Sequence, residues 1–270
     1  MGKDYEELTF TDDFMFGKVA RDPRISHDLL EYLTREPVGV LEEIQSQHQV
    51  KDIAKGKPIQ LDLYTRDQKR IYDAEMQNRN HKKIESLDLP KRSRYYQAMM
   101  DSDHLKKGES YRKLLEGLVL FLCTFDPFGK GVARYTFENQ CLEFPELKLQ
   151  DGTRKIFFNC SCRLIDTPEE LKSLYDYLQN GNVTDDLTAR IDDAVKRARK
   201  NEKWRSEYVK ELVHDEDIRE EGREEGIEHN LRTNLTNLMK NLNLSLEQAM
   251  DALGVMEEQR EMCRKFFGAV

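Results

Sequence analysis

The chain has 270 residues, with 43 Lys and Arg against 51 Asp and Glu, so its formal net charge is −8. Charged residues make up 35% and hydrophobic residues 38%. This low apolar share excludes one uniformly packed globule and favours a core domain with a solvated helical extension. The net charge neither supports nor excludes a nucleic-acid partner, because local clusters of basic residues determine phosphate contacts.

The cysteines and the apolar runs exclude two further classes of protein. Five cysteines are present, an odd number without a CxxC pair, so we expect apolar core residues and no zinc site. The segment Met1–Thr11 is polar, which excludes a signal peptide there. No apolar run approaches the ~20 residues that span a bilayer. We therefore predict a cytoplasmic protein without membrane contact.

Two helices are predicted near the N-terminus. The pattern around Phe14 and Phe16 fits an amphipathic helix in Thr9–Val19. A second helix is predicted at Ile25–Arg35, and Pro37 ends it because a residue before proline avoids the helical region.

A β-hairpin is predicted next, from two alternating segments around a polar break at 66–69. The second strand carries apolar side chains on one face and acidic or amide side chains on the other. The apolar face contains Tyr72, Ala74 and Met76, and the polar face contains Asp73, Glu75 and Gln77. We expect the apolar face to pack on the core and the polar face to be open to solvent.

Two carboxylates are predicted to converge on this hairpin. If Asp62 pairs opposite Glu75, the turn centres on Gln68-Lys69, where the polar break lies. Cβ atoms of opposite residues are about 4.5–5.5 Å apart. Unneutralised carboxylates at that distance repel each other, and a divalent cation such as Mg²⁺ removes the repulsion. Asp73 is a possible third acid. The alternative is an ordinary acidic hairpin that faces solvent.

A basic segment follows the hairpin. Residues 81–113 contain nine Lys or Arg and five Asp or Glu, although the whole chain is acidic. A helix is predicted from His81 to Ser102, with Pro90 in a first turn. The candidate contacts to DNA phosphates are Lys82, Lys83, Arg92 and Arg94. The alternative is a solvated helix face.

The remainder of the sequence predicts buried strands and then helices. Leu118–Phe125 is a continuous apolar run, typical of a strand buried on both faces. Two further strands are predicted at Arg134–Phe144 and Lys155–Leu164, and helices from Pro168 onward. Asp126, which follows the buried strand, is expected to act in a turn.

The C-terminal region predicts a helical arm and an oligomer. The acidic run Asp215–Glu228 contains Gly222 and Gly226, which predicts a solvated helix or hinge with a weak point. A stripe then predicts homodimerisation through the C-terminal helices: Ile227, Leu231, Leu235, Leu238 and Leu242. The last two helices, opened by the capping box of Ser245 and Gln248, fit a plain helical hairpin better than a DNA-binding helix-turn-helix.

Several motifs together resemble a known family. They are Asp62 with Glu75-Met76-Gln77, Thr11-Asp12-Asp13-Phe14-Met15-Phe16, Arg94-Tyr95-Tyr96, Phe125-Asp126-Pro127-Phe128-Gly129 and Arg134-Tyr135-Thr136-Phe137-Glu138. The chain is similar to the PD-(D/E)XK nucleases of the recombination-promoting nuclease, or putative transposase, family. The resemblance implies an α-β-β-β-α-β core, a divalent metal and a DNA substrate.

The resemblance also implies roles for single residues. Asp62 and Glu75 match the metal-binding acids. Asp13 matches an auxiliary metal ligand, with a helix cap as the alternative. Gln77 stands where many such nucleases have lysine, and an amide donates hydrogen bonds but supplies no charge. The general base is therefore left unassigned.

We expect an α/β fold with a PD-(D/E)XK restriction-endonuclease-like core, a mixed β-sheet flanked by helices, at residues 1–180. An all-α extension is expected at residues 181–270. The first functional hypothesis is a Mg²⁺- or Mn²⁺-dependent DNA endonuclease, active in recombination or transposition. The second is a catalytically weak or inactive DNA-binding or regulatory protein that keeps the fold.

Overall fold

The computed structural model describes residues 3–45, 48–50, 59–78 and 88–268. The chain forms two compact units, divided between Arg205 and Ser206. The division lies later in the chain than the predicted one after residue 180.

The first unit is built on a mixed β-sheet. Its six strands have the order β1-β4-β5-β6-β8-β7, and a separate two-stranded sheet pairs β2 with β3. Strands β1, β4 and β5 are antiparallel, β5, β6 and β8 are parallel, and β7 is an antiparallel edge strand. The strands are β1 (Glu42–Gln45), β2 (His48–Val50), β3 (Ile59–Leu61), β4 (Leu63–Arg66), β5 (Arg70–Gln77), β6 (Glu116–Cys123), β7 (Arg134–Phe137) and β8 (Thr153–Asn159).

The helices flank this sheet and then form the C-terminal region. They are α1 (Asp13–Val19), α2 (Pro23–Thr34), α3 (Leu89–His104), α4 (Glu169–Asn180), α5 (Asp186–Arg199), α6 (Glu202–Leu242), α7 (Leu246–Leu253) and α8 (Glu257–Phe266). The order of elements from α2 to β6 matches the implied α-β-β-β-α-β core, with β2 and β3 added. The predicted α/β fold class and its helical extension are therefore confirmed.

The hairpin register agrees with the predicted turn. Leu63 pairs with Ala74, and Arg66 pairs with Ile71. Continuing this register by one residue sets Asp62 opposite Glu75. The turn is fixed by Asp67, whose Oδ1 accepts the backbone N–H of Lys69 at 2.7 Å and of Arg70 at 2.8 Å.

The acidic face of β5 is buried, so the expectation that it is open to solvent is wrong. Parallel strands such as β5 and β6 need a crossover connection, and α3 supplies it. The helix packs on this face through Tyr96, Met99 and Met100, against a cluster that includes Ile71 and Phe121. The sequence pattern missed this cover because it depends on a pairing between distant segments.

The opposite face of the sheet is covered by the other helices of the first unit. Helix α1 packs against β5, and α5 packs against α1, α2 and α4. Its apolar residues Leu187, Ile191 and Val195 are buried. These contacts place α5 in the first unit, which explains why the division falls after residue 180.

Two elements differ in extent from the prediction. Strand β7 ends at Phe137, where Phe144 was predicted, because the chain turns back into a loop that joins Gln140 to Lys148 by a bridge. Strand β8 ends at Asn159, whose side chain accepts the backbone N–H of Ser161 at 3.2 Å. The described part of the predicted basic helix begins at Leu89, and residues 81–87 lie outside the described ranges.

The second unit uses much of the predicted dimer stripe within one chain. Leu235 is fully buried, and Leu231 and Leu238 pack with it against α7 and α8. On α8, Arg260 and Arg264 both form ion pairs with Glu247 of α7. These two arginines therefore form ion pairs within the helical hairpin, and this arrangement agrees with a plain hairpin better than with a DNA-binding helix-turn-helix. In the ranges that the structure describes, no helix is long and apolar enough to cross a membrane.

Helix α6 is continuous through both glycines of the acidic run. No atom lies within 4 Å of an added Cβ at Gly222 or Gly226, whereas Gly254, which ends α7, has a φ of +66°. Gly222→Ala and Gly226→Ala should each stabilise the second unit by about 0.5–1 kcal/mol, because alanine loses less backbone entropy in a helix. Urea unfolding followed by circular dichroism at 222 nm measures this change.

Gly254→Ala is the matched control for this prediction. The same added methyl group should destabilise the unit, because a positive φ strains a residue that has a Cβ. Equal effects of all three substitutions would contradict a continuous exposed helix at 222–226.

Candidate active site

Asp62 and Glu75 hold each other in place through the backbone. Asp62 lies in a bend between β3 and β4, and its backbone N–H donates to Glu75 Oε1 at 2.9 Å. In return, Asp62 Oδ2 accepts the backbone N–H of Met76 at 3.1 Å. Because of the bend, the N–H of Asp62 does not pair with a neighbouring strand and donates instead to the carboxylate of Glu75. The two predicted acids therefore converge, with both orientations set by hydrogen bonds.

A third carboxylate lies on the same strand without any donor. Asp73 is fully buried, and Glu75 is 2% exposed. In the described part of the chain no N–H or hydroxyl group donates to either carboxylate oxygen of Asp73, whose neighbour is the carboxyl of Glu75. A buried carboxylate without partners is costly, because no protein group replaces the water that it has lost.

The three acids raise one another's pKa. Burial raises the pKa of Asp73 and Glu75 well above their usual values. The charge of Asp62 raises the pKa of Asp73 further, and the charge of Asp73 acts in the same way on Glu75. Burial also raises the pKa of Asp62, with added contributions from Glu75 and then Asp13. The site has an excess of negative charge that its own residues do not neutralise.

Arg92 extends from α3 into this site. Its Nη2 donates to Glu75 Oε2 at 3.4 Å and to the Tyr96 hydroxyl at 2.8 Å. The guanidinium carbon lies 5.3 Å from the centre of the Tyr96 ring and 5.8 Å from that of Phe121. Arg92 therefore lies against the acids, and its predicted contact to a DNA phosphate near the scissile bond stays a prediction.

Gln77 lies at the end of β5 and faces Arg92. Its Oε1 accepts from Arg92 Nη1 at 2.8 Å, and its Nε2 donates to the backbone carbonyl of Met76 at 3.0 Å. Arginine has only donors, so the amide oxygen must be the atom that faces it.

Asp13 is brought near the acids by the start of α1. Asn78, directly after β5, donates to the backbone carbonyl of Thr11 at 3.4 Å, and its own Oδ1 accepts from Thr124 at 3.1 Å. Asp13 is the first helical residue, and the N-cap position belongs to Asp12. Asp13 is therefore not the N-cap residue of α1. Its charge raises the pKa of Asp62.

The donor set fits a hard divalent cation. Carboxylate oxygens are the ligands that Mg²⁺ and Mn²⁺ accept, and a magnesium ion typically uses one or two of them together with waters and phosphates. Asp73, whose oxygens have no donor, adds a reason for positive charge at this point. In the described residues, no group of three or more His, Cys, Asp or Glu side chains is close enough together to hold a metal ion. Asp62 and Glu75 are therefore the two carboxylates that fit the ion, and the auxiliary role of Asp13 stays a prediction.

Comparison with protein families supports the same assignment. Residues 11–143, close to half of the chain, match the model of a family described as PD-(D/E)XK nuclease family transposase. Within these residues the chain is similar to the PD-(D/E)XK nucleases. No curated protein and no solved structure matched the chain.

The structure brings together most of the residues that the sequence suggested. Asp62, Glu75, Gln77, Asp13 and Arg92 lie at the same end of β5. Arg94 is exposed on α3, and the candidates Lys82 and Lys83 lie outside the described residues.

Sequence reasoning missed the parts of this site that depend on distant segments. The link from Asn78 to Thr11 and the contact from Arg92 to Gln77 had no periodic signal. Asp126, by contrast, has the expected turn role, since its carboxylate accepts the backbone N–H groups of Phe128, Gly129 and Gly131.

Asp73→Asn tests the charge excess. In the folded protein the raised pKa keeps Asp73 protonated at pH values where the unfolded chain has lost the proton. The folded state therefore binds a proton that the unfolded chain does not, and the free energy of unfolding falls as pH rises above the usual carboxyl range. Without metal, the variant should match wild type near pH 4 and melt at least about 2 °C higher at pH 8.

Thermal melts in EDTA across this pH range measure the difference, and Mg²⁺ should reduce it by stabilising the wild type. Asp166→Asn, at an exposed ion pair with Arg163, serves as the control and should show no such trend. A melting difference that is constant with pH would contradict the assignment.

Proposed function

We propose that this protein is a divalent-metal-dependent DNA endonuclease that hydrolyses phosphodiester bonds. The observation that supports this most is the pair Asp62 and Glu75, interlocked by backbone hydrogen bonds beside a buried carboxylate without donors. The family match supports nuclease-type chemistry on DNA. A role in recombination or transposition rests on the family description alone.

In this proposal, Asp62 and Glu75 hold Mg²⁺ or Mn²⁺, with Asp13 as an auxiliary ligand. The ion, when bound, activates water and stabilises negative charge on the phosphoryl group. The backbone N–H groups of Asp62 and Met76 keep the two carboxylates oriented before the ion arrives. The cost of ordering these side chains is therefore met during folding.

Contacts to the DNA backbone are proposed for Lys82, Lys83 and Arg94. They belong to the basic segment, and the described part of that segment, α3, packs over the face of β5 that carries the acids. Lys and Arg contacts to phosphates position the duplex without reading its sequence. DNA binding should therefore weaken with increasing salt.

The alternative is a DNA-binding or regulatory protein with weak or absent turnover. Gln77 motivates this alternative, because the amide supplies no charge at a position where many related nucleases have lysine. Wild type and site variants that bind DNA equally well, with no cleavage by any of them, would favour it.

Cleavage of supercoiled plasmid tests the proposal. Wild type should nick or linearise the plasmid with Mg²⁺ or Mn²⁺ and not with EDTA. Asp62→Asn and Glu75→Gln, which keep shape and remove charge, should each reduce the rate by about 100-fold or more, because the ion loses a ligand.

Glu116→Gln is the control for these variants. This acid lies at the start of β6, at the opposite end of the strand from the site, and its side chain is 50% exposed. The Glu116→Gln variant should cleave the plasmid at the wild-type rate. Cleavage that survives in Asp62→Asn and Glu75→Gln would show that the acids are wrongly assigned.

We also propose the homodimer that the leucine stripe predicted, now through the exposed apolar side chains of α6. Leu231, Leu235 and Leu238 pack within one chain. The remaining exposed aliphatic side chains on α6 are Val209, Val213, Ile218, Ile227 and Leu242. Val209, Val213, Ile227 and Leu242 share one face of the helix, which two copies that pair along α6 would cover, whereas Ile218 lies on the opposite face.

Light scattering at micromolar concentration tests this assembly. Wild type should have twice the mass of one chain, and Val213→Asp with Ile227→Asp should give the monomer, because both charges would be buried. The polar substitution Thr233→Asp, at an exposed position of α6 away from this face, should leave the mass unchanged. A monomeric wild type excludes the dimer.

A further inference from the structure

We propose that Arg92 is the catalytic cation of this site and that Gln77 is the positioning residue that holds it; this rests on the proposed nuclease function. Together they would supply, from α3, the positive charge that β5 lacks. The inference depends on the contacts of one guanidinium and one amide.

Both polar atoms of the Gln77 amide are hydrogen-bonded, one of them to Arg92, and the amide carries no charge. Its oxygen accepts from Arg92 Nη1 at 2.8 Å, and its nitrogen donates to the carbonyl of Met76 at 3.0 Å. The second bond fixes the rotation of the amide, so that the oxygen remains directed at Arg92. A side chain in this arrangement orients its partner and adds no charge.

Arg92 is held on three sides. Tyr96 accepts from Nε at 3.3 Å and from Nη2 at 2.8 Å, while Glu75 accepts from Nη2 and Gln77 from Nη1. The guanidinium also lies over the rings of Tyr96 and Phe121, which favours a fixed plane. Its geometry is therefore set before a substrate arrives.

One N–H of Arg92 remains available. A guanidinium carries five N–H groups. Within the described residues, four have acceptors: the N–H on Nε, both on Nη2 and one on Nη1. The second N–H on Nη1 has none, and the side chain is 32% exposed. This group can donate to an oxygen of a phosphate that approaches the acids.

The chemistry requires such a donor. Hydrolysis forms a bond from the oxygen of water to phosphorus and breaks one P–O bond to the sugar. The electron pair of the broken bond stays on the sugar oxygen, which gains a proton, while the attacking water loses one, so solvent closes the proton balance. The negative charge that spreads over the phosphoryl oxygens is stabilised by a fixed cation. Arg92 stays protonated throughout, because a guanidinium does not lose its proton in proteins.

The relocated charge gives a specific test. Arg92→Ala should reduce single-turnover cleavage by about 100-fold or more, as expected for the loss of one transition-state donor. Gln77→Lys combined with Arg92→Ala should raise the rate at least about tenfold above Arg92→Ala alone, because it returns a cation to the end of β5. A merely structural role of Arg92 would not be rescued at residue 77.

A double-mutant cycle tests the positioning role. Gln77→Met removes the acceptor with little change in size and should lower kcat about tenfold with KM unchanged. In the Arg92→Ala background it should cost nothing further, because the residue that it positions is gone. Additive effects would overturn the positioning role of Gln77.

Two measurements separate catalysis from binding and folding. Fluorescence anisotropy with a short labelled duplex in Ca²⁺ should give Arg92→Ala an affinity that falls much less than its cleavage rate. If affinity and rate fall equally, Arg92 is a phosphate anchor and the proposal fails. Thermal melts verify folding, and Arg92→Lys, which keeps the charge, should fold and retain part of the activity if Arg92→Ala does not fold.

Lys69→Ala is the charge-matched control. This exposed lysine lies in the turn before β5, outside the basic segment and at the opposite end of the strand from Gln77, so its removal should change neither rate nor affinity. Wild type that cleaves together with an equally active Arg92→Ala would overturn this inference alone. Wild type without cleavage in Mg²⁺ or Mn²⁺ would overturn the proposed function, and this inference with it.

Discussion

The burial of two acids on β5, beside the carboxylate of Asp62, is the constraint on which the rest of the site depends. Asp73 and Glu75 are nearly inaccessible to solvent, and Asp62 joins them through a bend. Such a cluster opposes folding unless cations and donors surround it. The backbone N–H groups and Arg92 each offset part of this cost, and in the proposed function a divalent ion would offset more of it. The same carboxylates that the fold tolerates with difficulty are the ones that favour a metal.

Helix α3 covers the acidic face of β5 and leaves the end of the strand more accessible than its middle. Tyr96, Met99 and Met100 cover the face of β5, whereas Gln77 at the end of the strand is half-buried. The N-terminus of α1 is tied to that end by Asn78. The low dielectric around the acids strengthens every interaction with charge there. In the proposed function, a phosphate would approach the acids at this end of β5.

Local patterns sufficed for the hairpin, and long-range packing decided the remainder. Alternation and the polar break predicted the register, which Leu63 and Ala74 confirm. The fold class followed from motifs spread along the chain. The burial of Asp73 was not predictable from period two, because both a solvated and a covered face alternate in the same way. The contact between Arg92 and Gln77, 15 residues apart, depends on how α3 crosses the sheet.

The position of a cation on α3 depends on how the helix packs against the sheet, whereas a cation on β5 would be positioned by the strand itself. A lysine at position 77 would be aligned by β5 itself, whose backbone already fixes Glu75. Arg92 depends instead on the docking of α3, through Tyr96 and Phe121. Small shifts of the helix would move the guanidinium relative to the carboxylates, and misplacement of about 1 Å is enough to reduce rates greatly. If Arg92 acts as proposed, the buried aromatic contacts beneath α3 are part of the chemistry, because they hold a donor that the sequence of β5 does not provide.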